Sequence, residues 1–402
     1  MSEPADTMRA FFQNPYAAYE GARAQRLFRG PQGVWYAARY ADVDAILRDK
    51  RFGKKSPPGT EHLLPPLLRE QQRDQLTILN IDPPDHTRLR ALFVKAFNAG
   101  RIEAMRPVVQ QLVDRIIDAN YARGSMDLMR DFAFPIPATI ISDMLGIPES
   151  DRDRFAGLSN AIIEFGSGVR PDVPEEQLRA MGRQATVEFD TYLKGLLTSK
   201  REHGGDDLTS ALIEAEDQHD RLSEDELTQN VRLLFMAGHE TTVNLIGNAV
   251  LALHRHPDQL GKLKQRPDLM PMAVEEFLRF DSSVQQLPRV AQVDVEVAGR
   301  TVRAGEMVIC MLGAANRDPD IYPDAETLDI ERPFMRSKSF GGGIHFCLGA
   351  QLARIETEIA LNTLYARIPD LTLTNPEAVQ YPLNPFFRGP LQLRACWQPG
   401  RH

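Results

Sequence analysis

One short segment, residues 340–349, combines a cysteine with glycines and a histidine in the order Phe-Gly-Gly-Gly-Ile-His-Phe-Cys-Leu-Gly. The three consecutive glycines permit backbone angles closed to other residues and let a planar ligand approach closely. Cys347 falls immediately before a predicted amphipathic helix, whose unpaired N–H groups can donate to sulfur and stabilise a thiolate. A lone cysteine after such a turn is more often an inert buried thiol. The neighbouring residues must therefore decide between that interpretation and a metal ligand.

The spacing of Phe340, Gly343, His345, Cys347 and Gly349 follows the pattern Phe-x-x-Gly-x-His-x-Cys-x-Gly. On this long and specific signature the chain resembles the cytochrome P450 superfamily, in particular its soluble bacterial-type haem-thiolate monooxygenases. The resemblance implies that Cys347 is the proximal ligand of haem b (iron protoporphyrin IX), and that Phe340, His345 and Gly349 bind the cofactor. A thiolate on haem iron favours cleavage of the O–O bond.

Three charged residues upstream of the cysteine match another feature of that family. Glu276 and Arg279 are three residues apart, so on a helix they share one face and can pair. Considered alone, such a pair is usually a weak surface ion pair. The resemblance implies that Arg332, in the irregular segment before the cysteine loop, completes a Glu-Arg-Arg triad. The predicted role of the triad is structural, because it would lock the proximal loop that holds haem.

Residues 237–242, Ala-Gly-His-Glu-Thr-Thr, lie within a long predicted helix. Gly238 weakens the helix and lets a ligand approach the backbone, and Thr241 can donate to the carbonyl of Ala237. Without the cysteine segment, an ordinary helix with a solvated Glu240 would be the preferred interpretation. The resemblance implies that Ala237 and Gly238 border the cofactor and that Glu240 and Thr241 deliver protons to the oxygen site.

His86 and Arg90 are four residues apart and share a predicted helical face. Haem carries two propionates, so cationic and N–H donors are expected at its edge. By resemblance, His86, Arg90, Arg289 and His345 match propionate-contacting positions. Solvated surface charge is the competing interpretation for His86 and Arg289.

The elements that position these residues are mainly helices punctuated by proline and glycine. The long helix is predicted to begin after Leu222, with Ser223 and Glu226 as a capping box, and to reach His254. The pattern predicts a helix that opens at residues 82–85 and further helices near 41–48, 101–122, 137–146, 151–165, 174–202, 207–215, 268–280 and 348–366, with a long loop over 54–76. Strands are predicted at 34–37, 289–291, 293–297, 301–303 and 307–311. The predicted fold class is mainly α with a smaller β region (α+β), the cytochrome P450 fold with its long central helix over haem, as a single domain over residues 1–402.

The composition excludes several classes of function. A chain of 402 residues with 43% hydrophobic residues has ordinary globular composition, and a net charge of −8 argues against a general nucleic-acid binder. The amino terminus shows no signal pattern and no apolar run near 20 residues, so we expect a cytoplasmic protein free of the membrane. Three widely spaced cysteines make neither a disulfide framework nor a clustered zinc site. Cys310 and Cys396 are predicted to be inert core or near-core thiols in strands.

The resemblance implies the reaction R–H + O₂ + 2e⁻ + 2H⁺ → R–OH + H₂O, carried out by a monomer. A fused reductase has little room, and no dinucleotide-binding fingerprint appears in a strand–helix context. NAD(P)H is therefore expected to act indirectly, through a separate ferredoxin or flavodoxin and its reductase. A basic docking face, for which solvated charge is the alternative, is predicted from Lys95, Arg101, Arg106, Arg336, Lys338 and Arg354.

The expected substrate is a mainly apolar small molecule, such as a terpene, fatty-acyl, macrolide or aromatic compound, which is hydroxylated or epoxidised. By family analogy the apolar contacts are Leu64, Leu67, Ile163, Phe165, Met236, Val284, Leu287 and Phe386. Gln285 and Asn384 are the polar candidates. Apolar residues at these places equally suit a hydrophobic core.

Three other functions fit the same pattern. A peroxygenase would use H₂O₂ directly, although such enzymes typically replace the acid–alcohol pair that Glu240 and Thr241 retain. A non-catalytic haem sensor or helper subunit often lacks the cysteine ligand, which is present here. Oxidative coupling or desaturation would use the same iron chemistry on a different pocket.

Overall fold

Helices form most of the chain in the computed structural model, which describes residues 3–30, 33–65, 69, 76–167, 173–216 and 222–400. The first group is α1 Glu3–Gln13, α2 Tyr16–Gln25, α3 Tyr40–Arg48, α4 Asp85–Ala96, α5 Ala99–Glu103, α6 Arg106–Tyr121, α7 Pro135–Leu145 and α8 Arg152–Ser167. The second is α9 Glu175–His203, α10 Leu208–Glu216, α11 Glu224–Arg255, α12 Pro257–Gln265, α13 Met270–Phe280, α14 Leu312–Ala315 and α15 Ala350–Arg367.

In the described part of the chain, short strands form three small sheets. The strands are β1 Leu27–Arg29, β2 Trp35–Ala37, β3 Phe52–Gly53, β4 Ser125–Asp127, β5 Gln286–Ala291, β6 Val295–Val297, β7 Arg300–Val302, β8 Met307–Met311, β9 Thr372–Leu373 and β10 Arg394–Cys396. Their orders are β1-β2-β8-β5-β3, β4-β10-β9 and β6-β7. In the largest sheet β5 runs antiparallel to β8, with Arg289 opposite Val308. The predicted fold class, mainly α with a smaller β region, is confirmed.

The long helix α11 is the central element. Ser223 Oγ accepts from the amide of Glu226 and the Glu226 carboxylate accepts from the amide of Ser223, which is the predicted capping box. The helix packs against α7, α9, α13 and α15. Every residue from 242 to 253 is buried, so the carboxyl-terminal half of the helix passes through the core. The residues predicted to face oxygen, 237–241, lie at the middle of the helix, directly before this buried stretch.

Several predicted boundaries were wrong. The helix predicted over 101–122 is divided into α5 and α6, and the final helix begins at Ala350 instead of residue 348. Pro257 ends α11, as predicted, but it also starts the missed helix α12, because proline fits the first turn of a helix. Glu61–Leu63 forms a 3₁₀ turn within the predicted loop, of which residues 66–68 and 70–75 lie outside the described residues.

Among the helices of the described ranges, none is both long enough and apolar enough to cross a membrane. The main hydrophobic core joins residues of α6, α7, α11, α13 and α15. The assignment of residues 1–402 to one domain stays a prediction.

Candidate functional site

The loop that carries Cys347 depends on glycine for its shape. Gly341 and Gly343 have φ values of +69° and +66°, a region that side chains rarely adopt. A Cβ atom on Gly343 would lie 2.1 Å from the backbone carbonyl oxygen of Leu47, in α3. The Cys347 amide donates to the Phe340 carbonyl at 3.0 Å, which closes the loop. The loop is therefore pressed against α3 and turns the cysteine toward the start of α15.

The Cys347 thiol can be reached by a ligand, because the residue keeps accessible surface even though nearby atoms desolvate the sulfur. Burial raises the pKa of this thiol, and the Gly349 amide, Arg90 and Arg354 lower it in turn. The Gly349 amide and the two guanidinium groups thus favour the thiolate, although burial outweighs them in the protein without a metal ligand on the sulfur.

The other two cysteines differ from each other. Cys310 lies in β8 and is fully buried, which raises its pKa to about 11. Cys396 lies in a strand, β10, as predicted, but it is exposed, so the prediction of a core or near-core thiol was wrong. Its place at one end of a three-residue strand leaves it outside the sheet's buried face.

The predicted propionate donors converge on one place beside the cysteine loop. His86 and Arg289 are each 2% exposed, which excludes the alternative of solvated surface charge for both. The rings of His86 and His345 have centroids 4.3 Å apart. Arg90 Nη2 donates to the Phe346 carbonyl at 2.6 Å and so ties α4 to the cysteine loop. One helix, one strand and one loop therefore bring four nitrogen-bearing side chains together.

These nitrogen donors suit a ligand that presents two carboxylate groups along one edge. Within the described ranges, Nε2 of His86 and Nε2 of His345 are buried and have no hydrogen-bond partner, which is costly unless a ligand supplies an acceptor. Burial, followed by the charges of Lys54, Arg289, His86 and Arg90, lowers the pKa of His345 to about 2. Unpaired N–H donors beside an accessible thiol are the set that the two propionates and the iron of haem require.

Glu276 forms a buried ion cluster with both predicted arginines. Arg279 Nε and Nη2 each donate to the Glu276 carboxylate at 2.7 Å, and Arg332 Nε lies 3.2 Å from it. The amide of Asp329 adds a fourth donor at 3.0 Å. Glu276 is 4% and Arg279 2% exposed, so this pair is unlike the weak surface pair that the spacing alone suggests.

Asn316 links this cluster to the cysteine loop, a connection that the sequence analysis missed. Its backbone carbonyl accepts from Arg279 Nη1 at 3.1 Å. Its side chain donates to Ser339 Oγ at 2.8 Å and accepts from the amide of Lys338 at 2.6 Å. Asn316 has no accessible surface. A single asparagine in an irregular segment gives no sequence signal for this role.

On α11, Thr241 Oγ donates to the Ala237 carbonyl at 3.2 Å, as predicted. Glu240 accepts from Asn244 at 3.2 Å, and burial raises its pKa although that hydrogen bond opposes the shift. The alternative of a solvated Glu240 is therefore wrong. A Cβ on Gly238 would lie 2.8 Å from Ile141 Cγ1. Glycine at this position is therefore required for the close packing of α11 on α7, whether or not a ligand also approaches it.

Some predicted substrate contacts lie in the core instead. Leu64 is 2% exposed and packs with Val290, Met307 and Ile309, so it belongs to the core beside the sheet. Gln285, 3% exposed, is bonded to Tyr19, Tyr16 and the Ser282 carbonyl, which leaves it no free polar group for a ligand.

The remaining candidates keep accessible surface. Ile163, Met236, Val284, Leu287 and Phe386 are all half-buried. Leu287 lies at the cysteine loop, because its Cδ1 would be 3.3 Å from a Cβ on Gly341. Asn384 Oδ1 accepts from the amides of residues 386 and 387 and shapes the turn there. Leu67 and the side chain of Phe165 lie outside the described residues.

The predicted basic docking face is smaller than expected. Lys338 is 3% exposed and pairs with Asp44, so it cannot belong to a surface. Arg354 pairs with Glu275. Arg106 pairs with Glu103 and Glu358, and Arg101 lies 3.8 Å from Asp206. Lys95 and Arg336 are exposed and remain candidates.

Glu356 in α15 is a buried acid that the sequence analysis also missed. It is 1% exposed, and neither carboxyl oxygen has a hydrogen-bond partner in the described part of the chain. Burial raises its pKa well above the ordinary value, and the Thr242 side chain opposes only part of this shift. The folded protein therefore favours the neutral acid.

Glu356→Gln is expected to raise the unfolding free energy by about 1 kcal/mol at neutral pH. The folded state holds a proton that the unfolded chain releases, so wild-type stability falls as pH rises from the unfolded pKa toward the folded one. The advantage of the variant should therefore grow as the pH rises above 4.5, the ordinary pKa of this carboxyl, measured by thermal melts at a series of pH values from there upward. Glu358→Gln is the control, because Glu358 pairs with Arg106 and keeps more accessible surface. An unchanged or reversed difference across this pH range would contradict the assignment.

Comparisons with known proteins agree with this geometry. A family model described as Cytochrome P450 matches residues 23–367. Vitamin D(3) 25-hydroxylase of Pseudonocardia autotrophica is 43% identical over 376 residues, covering 90% of this chain and 88% of that protein. Cytochrome P450 monooxygenase PikC of Streptomyces venezuelae is 40% identical over 402 residues, covering 97% and 93%. The crystal structure of P450BioI in complex with hexadec-9Z-enoic acid ligated acyl carrier protein matches with a TM-score of 0.89 and 35% identity, covering 98% of this chain and 100% of that chain. Because the family model matches residues 23–367 and these relatives cover 90% or more of the chain, the chain belongs to the cytochrome P450 family of monooxygenases.

Proposed function

We propose that this protein binds haem b through Cys347 and inserts one oxygen atom from O₂ into an apolar small molecule, R–H + O₂ + 2e⁻ + 2H⁺ → R–OH + H₂O. The observation that carries the proposal is the pairing of an accessible cysteine thiol with the orphaned Nε2 donors of His86 and His345 beside it. When bound, haem supplies the redox and oxygen-transfer chemistry.

The chain's own contribution begins with holding the cofactor. Cys347 would ligate the iron, with the Gly349 amide stabilising the thiolate. His86, Arg90, Arg289 and His345 would hold the propionates by charge-assisted hydrogen bonds. Phe340 and Gly349 would complete the proximal side.

Glu240 and Thr241 would supply the two protons that the reaction consumes. Both lie directly before the buried segment of α11, and neither side chain is fully exposed. Burial raises the pKa of Glu240, which brings a carboxyl group closer to the range in which it both gains and gives a proton near neutral pH. The Thr241 hydroxyl donates its own hydrogen to the Ala237 carbonyl. Its oxygen can therefore accept a hydrogen bond from the group that delivers a proton. Ala237 and Gly238 would border the oxygen site.

The substrate that we propose is mainly apolar. The half-buried candidates Ile163, Met236, Val284, Leu287 and Phe386 offer hydrocarbon surface, as such a ligand requires. The names of similar proteins, a vitamin D(3) hydroxylase and a P450 with an acyl carrier protein bearing hexadec-9Z-enoic acid, support a long or polycyclic hydrocarbon. A separate ferredoxin or flavodoxin with its NAD(P)H-dependent reductase would supply electrons, and the reaction would take place in the cytoplasm.

A spectral screen tests this proposal. The haem-loaded protein is titrated with sterols, secosteroids, fatty acids and acyl carrier protein thioesters, and a shift of the haem spectrum identifies ligands. Each ligand is then incubated with NAD(P)H, a ferredoxin and its reductase. An oxygenated product is expected from at least one ligand. Turnover with H₂O₂ but none with the reductase system would favour a peroxygenase, and a stable oxygen complex without product from any ligand would favour a sensor or helper protein.

A further inference from the structure

Asn244 lies on α11 one helical turn after Glu240, and it is 7% exposed. Residues four apart share a helical face, and Asn244 Nδ2 donates to Glu240 Oε1 at 3.2 Å. An amide that rotates freely would not hold a carboxylate in one place. What fixes the Asn244 side chain therefore decides whether this hydrogen bond positions Glu240.

Gly389, which follows the loop residues Phe386 and Phe387, lies directly against the Asn244 side chain. A Cβ atom on Gly389 would be 2.0 Å from Asn244 Oδ1, 2.4 Å from its Cγ and 2.7 Å from its Cβ. Glycine permits a backbone approach of this kind because it has no side chain, and any larger residue would displace the asparagine. The Gly389 backbone thus presses on the oxygen side of the amide and leaves its Nδ2 group directed at Glu240.

The loop is anchored to α11 on both sides of Gly389. Before it, the Arg388 carbonyl accepts from Asn248 Nδ2 at 3.0 Å. After it, Pro390 Cδ would lie 3.2 Å from a Cβ on Gly247. Since residues 247 and 248 lie on the helix one turn beyond the asparagine, the loop cannot move away from Gly389's contact without losing its own. Gly389 therefore acts as a fixed stop for the Asn244 side chain.

Few other groups act on the Glu240 carboxyl. Burial raises its pKa and the Asn244 amide lowers it, and in the described part of the chain no charged side chain of α7, α9, α13 or α15, which pack on α11, contributes. The nearby titratable groups are turned elsewhere, because His239 Nδ1 lies 2.8 Å from the Phe235 carbonyl and Glu356 of α15 interacts with Thr242. Among the described residues, Asn244 is the side chain that favours the charged form of Glu240.

We infer that Asn244 is a positioning residue for proton delivery, and that its amide, pressed against the Gly389 backbone, holds the Glu240 carboxylate in one orientation on α11. The inference rests on the proposed function, since it takes Glu240 as the acid that delivers protons. Asparagine at 244 and glycine at 389 form one unit, because the first supplies the donor and the second keeps it aimed. By donating to the carboxylate, the amide also sets the pH at which Glu240 gains its proton.

The test follows the carboxyl band of Glu240 by infrared spectroscopy over a pH series in the haem-loaded protein, with Glu240→Gln to identify the band. Asn244→Leu keeps the approximate shape but removes the donor, so the titration midpoint should move upward by about one pH unit. Gly389→Ala should also move it upward, because the new Cβ displaces the asparagine while both side chains remain. The pH profile of oxygen consumption with NAD(P)H, a ferredoxin and its reductase should shift in the same direction.

Asn248→Leu is the matched control. Asn248 is a buried asparagine of the same helix that holds the same loop, but it donates to the Asp281 and Arg388 carbonyls instead of Glu240. Its variant should melt earlier with an unchanged midpoint, and Asn244→Ala replaces Asn244→Leu if leucine prevents folding. An unchanged midpoint in Asn244→Leu or Gly389→Ala, or an equal shift in Asn248→Leu, would overturn the inference. Wild-type protein that consumes no oxygen would instead overturn the proposed function, and the infrared midpoint remains measurable in that case.

Discussion

Glu276→Ala is expected to leave the purified protein largely without haem and with a broad, early unfolding transition. The substitution removes the carboxylate that accepts from four donors. It also leaves the Arg279 side chain, which is 2% exposed, without its counter-ion. Leaving one member of a buried ion pair uncompensated costs about 3–5 kcal/mol, a large share of the roughly 5–15 kcal/mol by which a folded protein is stable. The loss should reach haem because Asn316 joins Arg279 to the cysteine loop. Haem content per polypeptide and thermal melts measure both effects.

Glu275→Ala is the matched control for that experiment. Glu275 is the neighbouring residue of the same helix and is also paired with an arginine, Arg354, but both side chains keep accessible surface. Removing such a pair costs about 1 kcal/mol or less, so haem content should stay close to that of wild type. Full haem content and an unchanged melting temperature in Glu276→Ala would contradict the structural role of the cluster.

Thr241→Ala should keep haem and substrate binding but divert reducing equivalents from product to hydrogen peroxide. The hydroxyl is the group that we propose passes protons, and its loss leaves O₂ reduced without transfer of an oxygen atom to substrate. Product formed per NAD(P)H consumed should fall by about tenfold or more, while NAD(P)H oxidation continues. Product and peroxide are quantified in the same reaction.

Two further variants separate proton delivery from a helix effect. Thr241→Ser retains the hydroxyl and should recover most of the coupling. Thr228→Ala removes a comparable hydroxyl, which donates to the Glu224 carbonyl at 2.7 Å, about 20 Å away along the same helix. It should leave coupling unchanged. Equal coupling in Thr241→Ala and wild type would remove Thr241 from the mechanism.

The sequence predicted those parts of the molecule that depend on local spacing. The capping box at Ser223, the Glu276–Arg279 pair and the Thr241 hydrogen bond all join residues three or four apart on a helix, and all three are present. The three glycines of the cysteine loop also predict a turn with unusual backbone angles. The contact that requires glycine at position 343 is with the Leu47 carbonyl, which belongs to a distant element and could not be predicted from local spacing.

The errors concern side chains whose burial depends on distant partners. Lys338 was assigned to a surface, yet Asp44, nearly 300 residues away in sequence, holds it inside. Gln285 was offered as a substrate contact, but Tyr19 binds it. Asn316 carried no local signal, because a polar residue in an irregular segment is usually exposed. Helix ends near 101–122 and 348 were misplaced because apolar periodicity continues past the hydrogen-bonded residues.

The most direct test of the account is the spectrum of the purified, reduced, carbon-monoxide-treated protein. An absorption band near the wavelength that gives the cytochromes P450 their name is expected from wild type and from Cys396→Ala, and it should be absent from Cys347→Ala. A band at the shorter wavelength typical of histidine-ligated haem in wild type, or the P450 band persisting in Cys347→Ala, would contradict ligation by Cys347.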